Sequence, residues 1–270
     1  MFIERPPLFY RMLFPETIWR LPCKEKTIYL TFDDGPVPEI TPWVLNLLDY
    51  YNVKATFFCV GENVARNTEL YAEILKRGHH TGNHTMNHIQ GTKYSVKDYI
   101  RNVDAANELI HSALFRPPHG HMCFGQAHEL RQKYKIIMWD VVTRDYSKKL
   151  NGERVFNNVK KYTRNGSIIV FHDSLKGEKN LRHALPKSIK WLKEQGYDTT
   201  SKFYKNKKPY YKIGLSYWNR YCSYSPNDAD ISSMRCMGRI AFSAIVLSTV
   251  ISGVSSRRQF LNFSSVFNRM

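Results

Sequence analysis

Short apolar runs, rich in β-branched and aromatic residues, alternate with longer stretches of helical period over the first 200 residues. Strands buried on both faces read as continuous apolar runs of this length. The expected strands are 27–32, 55–60, a short one near Thr81, 114–116, 135–142 and 167–172. The stretches between them predict helices. One starts with Thr41 as N-cap and Pro42 at the first helical position. A second covers 68–77 and is closed by Gly78. A third opens at Ser95, with Asp98 three residues on in the manner of a capping box, and runs to about 112. Further helices are expected over 126–133, 153–164 and 181–195, the last closed by Gly196. Alternating strands and helices predict an α/β fold with a parallel sheet. About seven strand–helix units are present and no sequence repeat, close to the eight units of a full (β/α) barrel.

Polar residues collect where these strands end. The run Ile28-Tyr29-Leu30 leads into Thr31-Phe32-Asp33-Asp34-Gly35-Pro36. Gly35-Pro36 stops the strand and turns the chain. Two adjacent carboxylates at a strand end repel each other, and a cation beside them relieves that repulsion. The turn can redirect one of them, so one can hold a metal while the other handles protons. A plain polar turn is the alternative. Some fifty residues on stands His84-Thr85-Met86-Asn87-His88. Histidines at i and i+4 share a face if the segment is helical and can then approach one cation. With Asp34 they make three protein ligands and leave a position open, which is the catalytic pattern of zinc sites. The donor set suits Zn, Co, Ni or Fe.

Three more segments follow the same logic: Phe115-Arg116-Pro117-Pro118-His119-Gly120, Trp139 to Tyr146, and Ser167 to Asp173 ending in His172-Asp173. Singly, Arg116 reads as a surface ion-pair partner, Asp145 as a cap and His172 as a core histidine. Five strand ends with polar or ionisable groups read differently, because (β/α) barrels build their sites at the C-terminal ends of the strands.

In sequence, these motifs resemble the polysaccharide deacetylases of carbohydrate esterase family 4, the NodB homology domain. The resemblance covers residues from about 25 to 200. It implies a distorted (β/α) barrel and metal-dependent removal of N- or O-acetyl groups from a sugar. By position, Asp34, His84 and His88 match the metal ligands, with Zn the expected metal and Co, Ni and Fe as alternatives. Asp33 matches the general base and His172 the general acid. Arg116 matches the partner of the base, and Asp145 the carboxylate that orients the acid histidine and raises its pKa. Two positions depart from the family. His119 stands where the family usually has Tyr, and a backbone N–H there helps hold the oxyanion. Tyr146 stands where many relatives have Trp. Both bear on substrate fit, and His119 or His121 could also offer an extra ligand.

Composition adds limits. The chain has 270 residues and a formal net charge of +17. Residues 201–270 carry 11 basic and two acidic groups, about half of that excess. No nucleic-acid-binding motif accompanies the charge, so nucleic acid is not an expected partner, while an acidic glycan or anionic surface is compatible with it. Five cysteines of irregular spacing indicate neither a disulfide framework nor a thiolate zinc site. Cys59 reads as a small buried hydrophobe. Polar residues and Pro6, Pro7 and Pro15 interrupt residues 1–20, so no signal-peptide core is read there. A cytoplasmic location is therefore expected, although relatives often act outside the cytoplasm.

The expected organisation is an N-terminal extension at 1–24, the deacetylase-like domain at 25–200 and a basic extension at 201–270. The apolar run 240–254 has 15 residues, short of the ~20 needed to span a membrane. A poorly ordered appendage is expected there, with an interfacial or barrel-packed helix as the alternative. The expected partner is an acetylated poly- or oligosaccharide, with N-acetylglucosamine-type sugars leading. Two competing functions are a Mg-dependent phosphohydrolase and a catalytically silent glycan-binding protein. The first needs Asp-x-Asp and has no use for the histidines. The second would be expected to have lost a ligand, the base or the acid.

Overall fold

The computed structural model describes residues 4–21 and 25–199. The expectations for the basic extension and for Cys23, Cys222 and Cys236 lie outside the described residues. Among the described residues no helix is long and apolar enough to cross a membrane.

The centre of the fold is β1 (Thr27–Asp33), whose seven residues are all buried. Alternation sends Ile28, Leu30 and Phe32 towards the helices, where they join one large core. Tyr29 faces the other way, into a small apolar cluster with Phe58, Leu114, Ile137 and Ile168. On one side β1 pairs with β2 (Thr56–Cys59). The sheet continues through β3 (His80–Asn83), β4 (Leu114–Phe115) and β5 (Lys135–Ile136). On its other side lie β7 (Ile168–His172) and then β6 (Val141–Val142). All these pairings are parallel, and the seven strands curl into the distorted barrel expected. A short β8 (Asp198–Thr199), absent from the expected pattern, pairs with the start of β1. In the β1–β7 register, Asp33 stands opposite His172.

Helices make most of the crossovers. α2 (Thr41–Tyr50) links β1 to β2, and α3 (Gly61–Arg66) with α4 (Thr68–Lys76) links β2 to β3. α5 (Val96–Ile110), α6 (Phe124–Lys133), α7 (Gly152–Tyr162) and α8 (Glu178–Glu194) follow. Ser95 does cap α5, accepting from the Asp98 N–H at 3.1 Å. Thr41 is not an N-cap. It is already helical, and its hydroxyl accepts from Val37 N–H at 2.8 Å and donates to Asp173 at 2.6 Å.

The expected single strand 135–142 is two strands at opposite edges of the sheet, joined without a helix. Side chains capture the chain between them. Arg116 takes the carbonyls of Ile137 and Met138, and the buried Asp140 binds Arg11, Arg164 and Ser167. Residues 4–21, with α1 (Leu8–Leu13), lie across this region. Ile18 forms a parallel bridge with Ile137, and Arg20 an antiparallel one with Ser167.

Candidate active site

Asp33 is the last residue of β1 and is buried. Asp34, next along, has φ 85, a left-handed conformation that turns its carboxylate away from the strand's alternation. Gly35 is required at the following position. A Cβ there would lie 2.0 Å from Asp173 Oδ2. Asp173 is buried and accepts from Gly35 N–H at 3.2 Å. Burial, with Asp34 nearby, pushes its carboxyl up to about 8 against the Thr41 hydrogen bond.

Asp34, His84 and His88 come together, their ligand atoms within 4.8 Å of one another. The segment carrying the histidines is a loop and not a helix. Thr85 at φ 67 and His88 at φ 53 bend it. Asn83 Oδ1 accepts from Thr85 N–H at 2.8 Å, and Asn102 Oδ1 accepts from Met86 N–H at 2.9 Å. His84 Nδ1 lies 2.8 Å from the Arg116 carbonyl. A carbonyl only accepts, so Nδ1 carries the proton and Nε2 keeps its lone pair. That Nε2 is 3.8 Å from Asp34 Oδ1, and His88 Nε2 is 3.1 Å from the same oxygen. Burial holds His84 down to about 4, in its neutral form. Burial favours protonation of Asp34, but the His88 hydrogen bond and the charges of His172 and His84 outweigh it and hold this carboxyl well below the usual range. An anionic carboxylate and a neutral imidazole of fixed tautomer converging on one point are what a divalent cation needs.

Arg116 is fully buried, so it is not the surface partner it could have been. Its Nη1 donates to Asp33 Oδ1 at 2.5 Å and to Thr31 Oγ1 at 2.9 Å. Nε and Nη2 donate to the carbonyls of Ile137 and Met138. The guanidinium lies 4.0 Å over the Phe58 ring. Burial lowers the Arg116 pKa and Asp33 opposes that.

Asp145 is also buried. Its Oδ2 accepts from the His172 backbone N–H at 2.7 Å, and its Oδ1 lies 2.8 Å from His172 Nδ1. A carboxylate partner puts the proton on Nδ1 and leaves Nε2 to act. Burial would lower the His172 pKa, but Asp145, with Asp34 and Asp33, raises it to about 9. The Tyr146 ring meets the imidazole edge-on, with centroids 4.8 Å apart. The His119 ring meets His88 in the same manner at 4.8 Å. All nine expected residues lie about one end of the barrel, in two contact groups that the pairing of Asp33 with His172 on β1 and β7 brings side by side. Asp173, to which the sequence reading gives no role, also belongs to this end, and its signal in sequence is an acid directly after a strand-end histidine.

Residues 21–134 match the family model described as polysaccharide deacetylase. A peptidoglycan-N-acetylglucosamine deacetylase of Bacillus cereus is 36% identical over 187 residues, 66% of this chain and 87% of the relative. The crystal structure of the peptidoglycan N-acetylglucosamine deacetylase Bc1960, in complex with a hydroxamate, is similar with a TM-score of 0.67 at 30% identity. The match covers 72% of this chain and 94% of that one. The structure of BA3943 from Bacillus anthracis, a pseudoenzyme of carbohydrate esterase family 4, is similar with a TM-score of 0.62 at 28% identity over 68% of this chain and 66% of that one. With fold, motifs and relatives in agreement, the chain belongs to the polysaccharide deacetylase family, carbohydrate esterase family 4, and is a hydrolase of that class.

Proposed function

We propose that this enzyme removes N-acetyl groups from N-acetylglucosamine-type sugars in a poly- or oligosaccharide, using a divalent cation held by Asp34, His84 and His88. The observation that carries the proposal is the convergence of those three groups beside two separate proton-handling pairs, Asp33–Arg116 and His172–Asp145. Zn²⁺ is the proposed ion, and Co²⁺, Ni²⁺ and Fe²⁺ fit the same donors. A bound cation of this kind lowers the pKa of water towards ~7 and polarises an acyl carbonyl.

The chain's own residues supply the rest. Asp33 accepts a proton from the attacking water, and the bond from Arg116 Nη1 fixes which carboxylate oxygen is free to do so. His172, with Nδ1 tied to Asp145, offers a proton from Nε2 to the leaving amine nitrogen. The backbone N–H of His119, in the 117–120 turn, donates to the carbonyl oxygen as charge develops there. Tyr146 walls the acetyl group on the His172 side.

The peptidoglycan sugar named for the relatives makes a peptidoglycan N-acetylglucosamine residue the first substrate to try. Chitooligosaccharides, acetylxylan and a soluble biosynthetic sugar are the alternatives. Acetate release would be measured on this panel with chelated enzyme and after Zn²⁺ or Co²⁺ is restored. Metal-restored release from an N-acetylated glycan supports the proposal. Release from acetylxylan alone would turn it into an O-acetyl esterase. A silent glycan-binding protein is the second reading, because a similar structure is a pseudoenzyme. Metal uptake and glycan binding with no acetate from any substrate would favour it.

A further inference from the structure

Residues 4–21 stand apart from the strand–helix pattern, and none of them takes part in the reaction as proposed. They nevertheless reach both loops that carry its proton-handling and oxyanion-binding groups. The Glu4 carbonyl accepts from Val142 N–H at 2.8 Å. The Glu4 carboxylate accepts from Arg144 Nη1 at 2.6 Å. The two side chains are 21% and 14% exposed, so solvent screens this pair less than a surface one. Arg144 has φ 63, a left-handed conformation that is unfavourable for a residue with a Cβ and so needs to be held in place. The residue after it is Asp145.

The second reach is through Tyr10, whose hydroxyl donates to the Gly120 carbonyl at 3.2 Å. Gly120 has φ 71, and a Cβ there would lie 2.3 Å from the Trp139 ring. Its neighbour His119 has φ 58, so two consecutive left-handed residues shape this turn. The segment is itself anchored. Arg11, buried, pairs with Asp140 at 2.8 Å and donates from Nε to the Pro6 carbonyl at 2.9 Å. Trp19 packs edge-on against both Tyr10 and Trp139. Ile18 N–H donates to Ile136 and the Ile18 carbonyl accepts from Met138, as an added strand would.

We infer that residues 4–21 form a brace that positions the active-site loops: Glu4, through Arg144, sets the grip of Asp145 on His172, and Tyr10, through Gly120, sets the turn that carries His119. Glu4, Arg144 and Tyr10 are positioning residues. This rests on the proposed role of His172 for its kinetic readout, and on geometry alone for its spectroscopic one.

The variants are E4Q, R144M, E4Q/R144M and Y10F in the full chain loaded with Zn²⁺, with E16Q as a control. Glu16 lies in the same segment and pairs with the exposed Arg131, away from the site. Folding is checked by circular dichroism, and R144M carries the test if E4Q does not fold. Kinetics use whichever glycan releases acetate. In parallel, His172 is titrated by NMR in 15N-histidine-labelled protein, its signal assigned by its loss in H172Q. E4Q and R144M should each lower kcat about tenfold, within the ~10²-fold that a small misplacement of a reacting group costs. KM should stay within about twofold, since only the transition state is affected. The double variant should be no worse than the poorer single one, because both act through one link. The His172 midpoint should move from that of the wild type. Y10F should lower kcat without moving that midpoint, and E16Q should match the wild type in both. Folded E4Q and R144M with wild-type kcat and an unmoved His172 midpoint would overturn the brace. Full activity in H172A would instead sink the acid assignment, and the NMR readout would still decide the brace.

Discussion

Asp145 holds His172 by two atoms at once: one carboxylate oxygen takes the backbone N–H at 2.7 Å, and the other meets Nδ1 at 2.8 Å. The grip fixes ring position and tautomer together and, against burial and with Asp34 and Asp33 nearby, raises the imidazole pKa to about 9. Because the folded-state pKa is raised, the charged form and the stability it brings are present below the unfolded value of ~6.5 and are lost as pH rises through about 9. Activity that needs a protonated His172 should therefore hold through neutrality and decline above pH 9.

D145N removes the charge but keeps the shape. The alkaline limb of kcat should move down by more than about one pH unit, and kcat at neutrality should fall by ~10²-fold or more, the range of a general acid's contribution. A pH–rate profile of both proteins checks this. An unmoved limb would mean that the limb belongs to another group.

Arg116 is the point where a surface reading of the sequence would mislead most. R116M leaves Asp33 buried without its ion-pair partner and frees two carbonyls. Removing one member of a buried pair costs about 3–5 kcal/mol. Urea unfolding should show a loss of that order, together with loss of turnover. A stability change under ~1 kcal/mol would show that water replaces the guanidinium without penalty.

Base and ligands should separate experimentally. D33N should abolish acetate release while its zinc content after dialysis stays near wild type. D34A and H84A should lose both. Elemental analysis alongside the assay reads the difference, and D33N enzyme with full activity would disprove the base assignment.

Asp140 provides the test of the fold around the brace. Burial works to raise its pKa, but hydrogen bonds from Arg164 and Ser167 and the charge of Arg11 lower it to about 2. A lowered folded-state pKa contributes stability above the unfolded value of ~3.9, and that contribution is lost as pH falls through about 2. D140N should be less stable than the wild type by about 2 kcal/mol at pH 7, with the gap closing towards pH 2. Urea midpoints at several pH values measure it.

What was legible in the sequence follows from how local its cause is. β1, β2 and β7 were readable because an apolar run followed by polar residues is a local signature of a buried strand that ends at a site. The His84–His88 pair was readable as a pair and not as a shape, since Thr85 and His88 adopt positive φ without being glycine. Spacing alone suggested one helical face. The split of 135–142 came from Arg116, Arg11 and Arg164, distant in the chain, taking over carbonyls and a carboxylate between the two short strands. For the same reason Glu4, Arg5 and Arg11 read as polar interruptions of an N-terminal segment. Their partners lie more than 120 residues away, and no local pattern announces them.

The register of β1 on β7 sets Asp33 against His172 on adjacent strands. Neighbouring strands are ~4.8 Å apart wherever they hydrogen-bond. The backbone spacing of the two proton-handling residues is thus inherited from the ladder, while Asp145, on the loop after β6, holds the ring of His172. The side chains of His119 and Tyr146 can change to admit a different sugar without altering that backbone spacing. Specificity and chemistry are in this sense written in separate parts of the chain, and a substitution series that reshapes the groove should alter which glycan is accepted while leaving the backbone spacing of base and acid as it is.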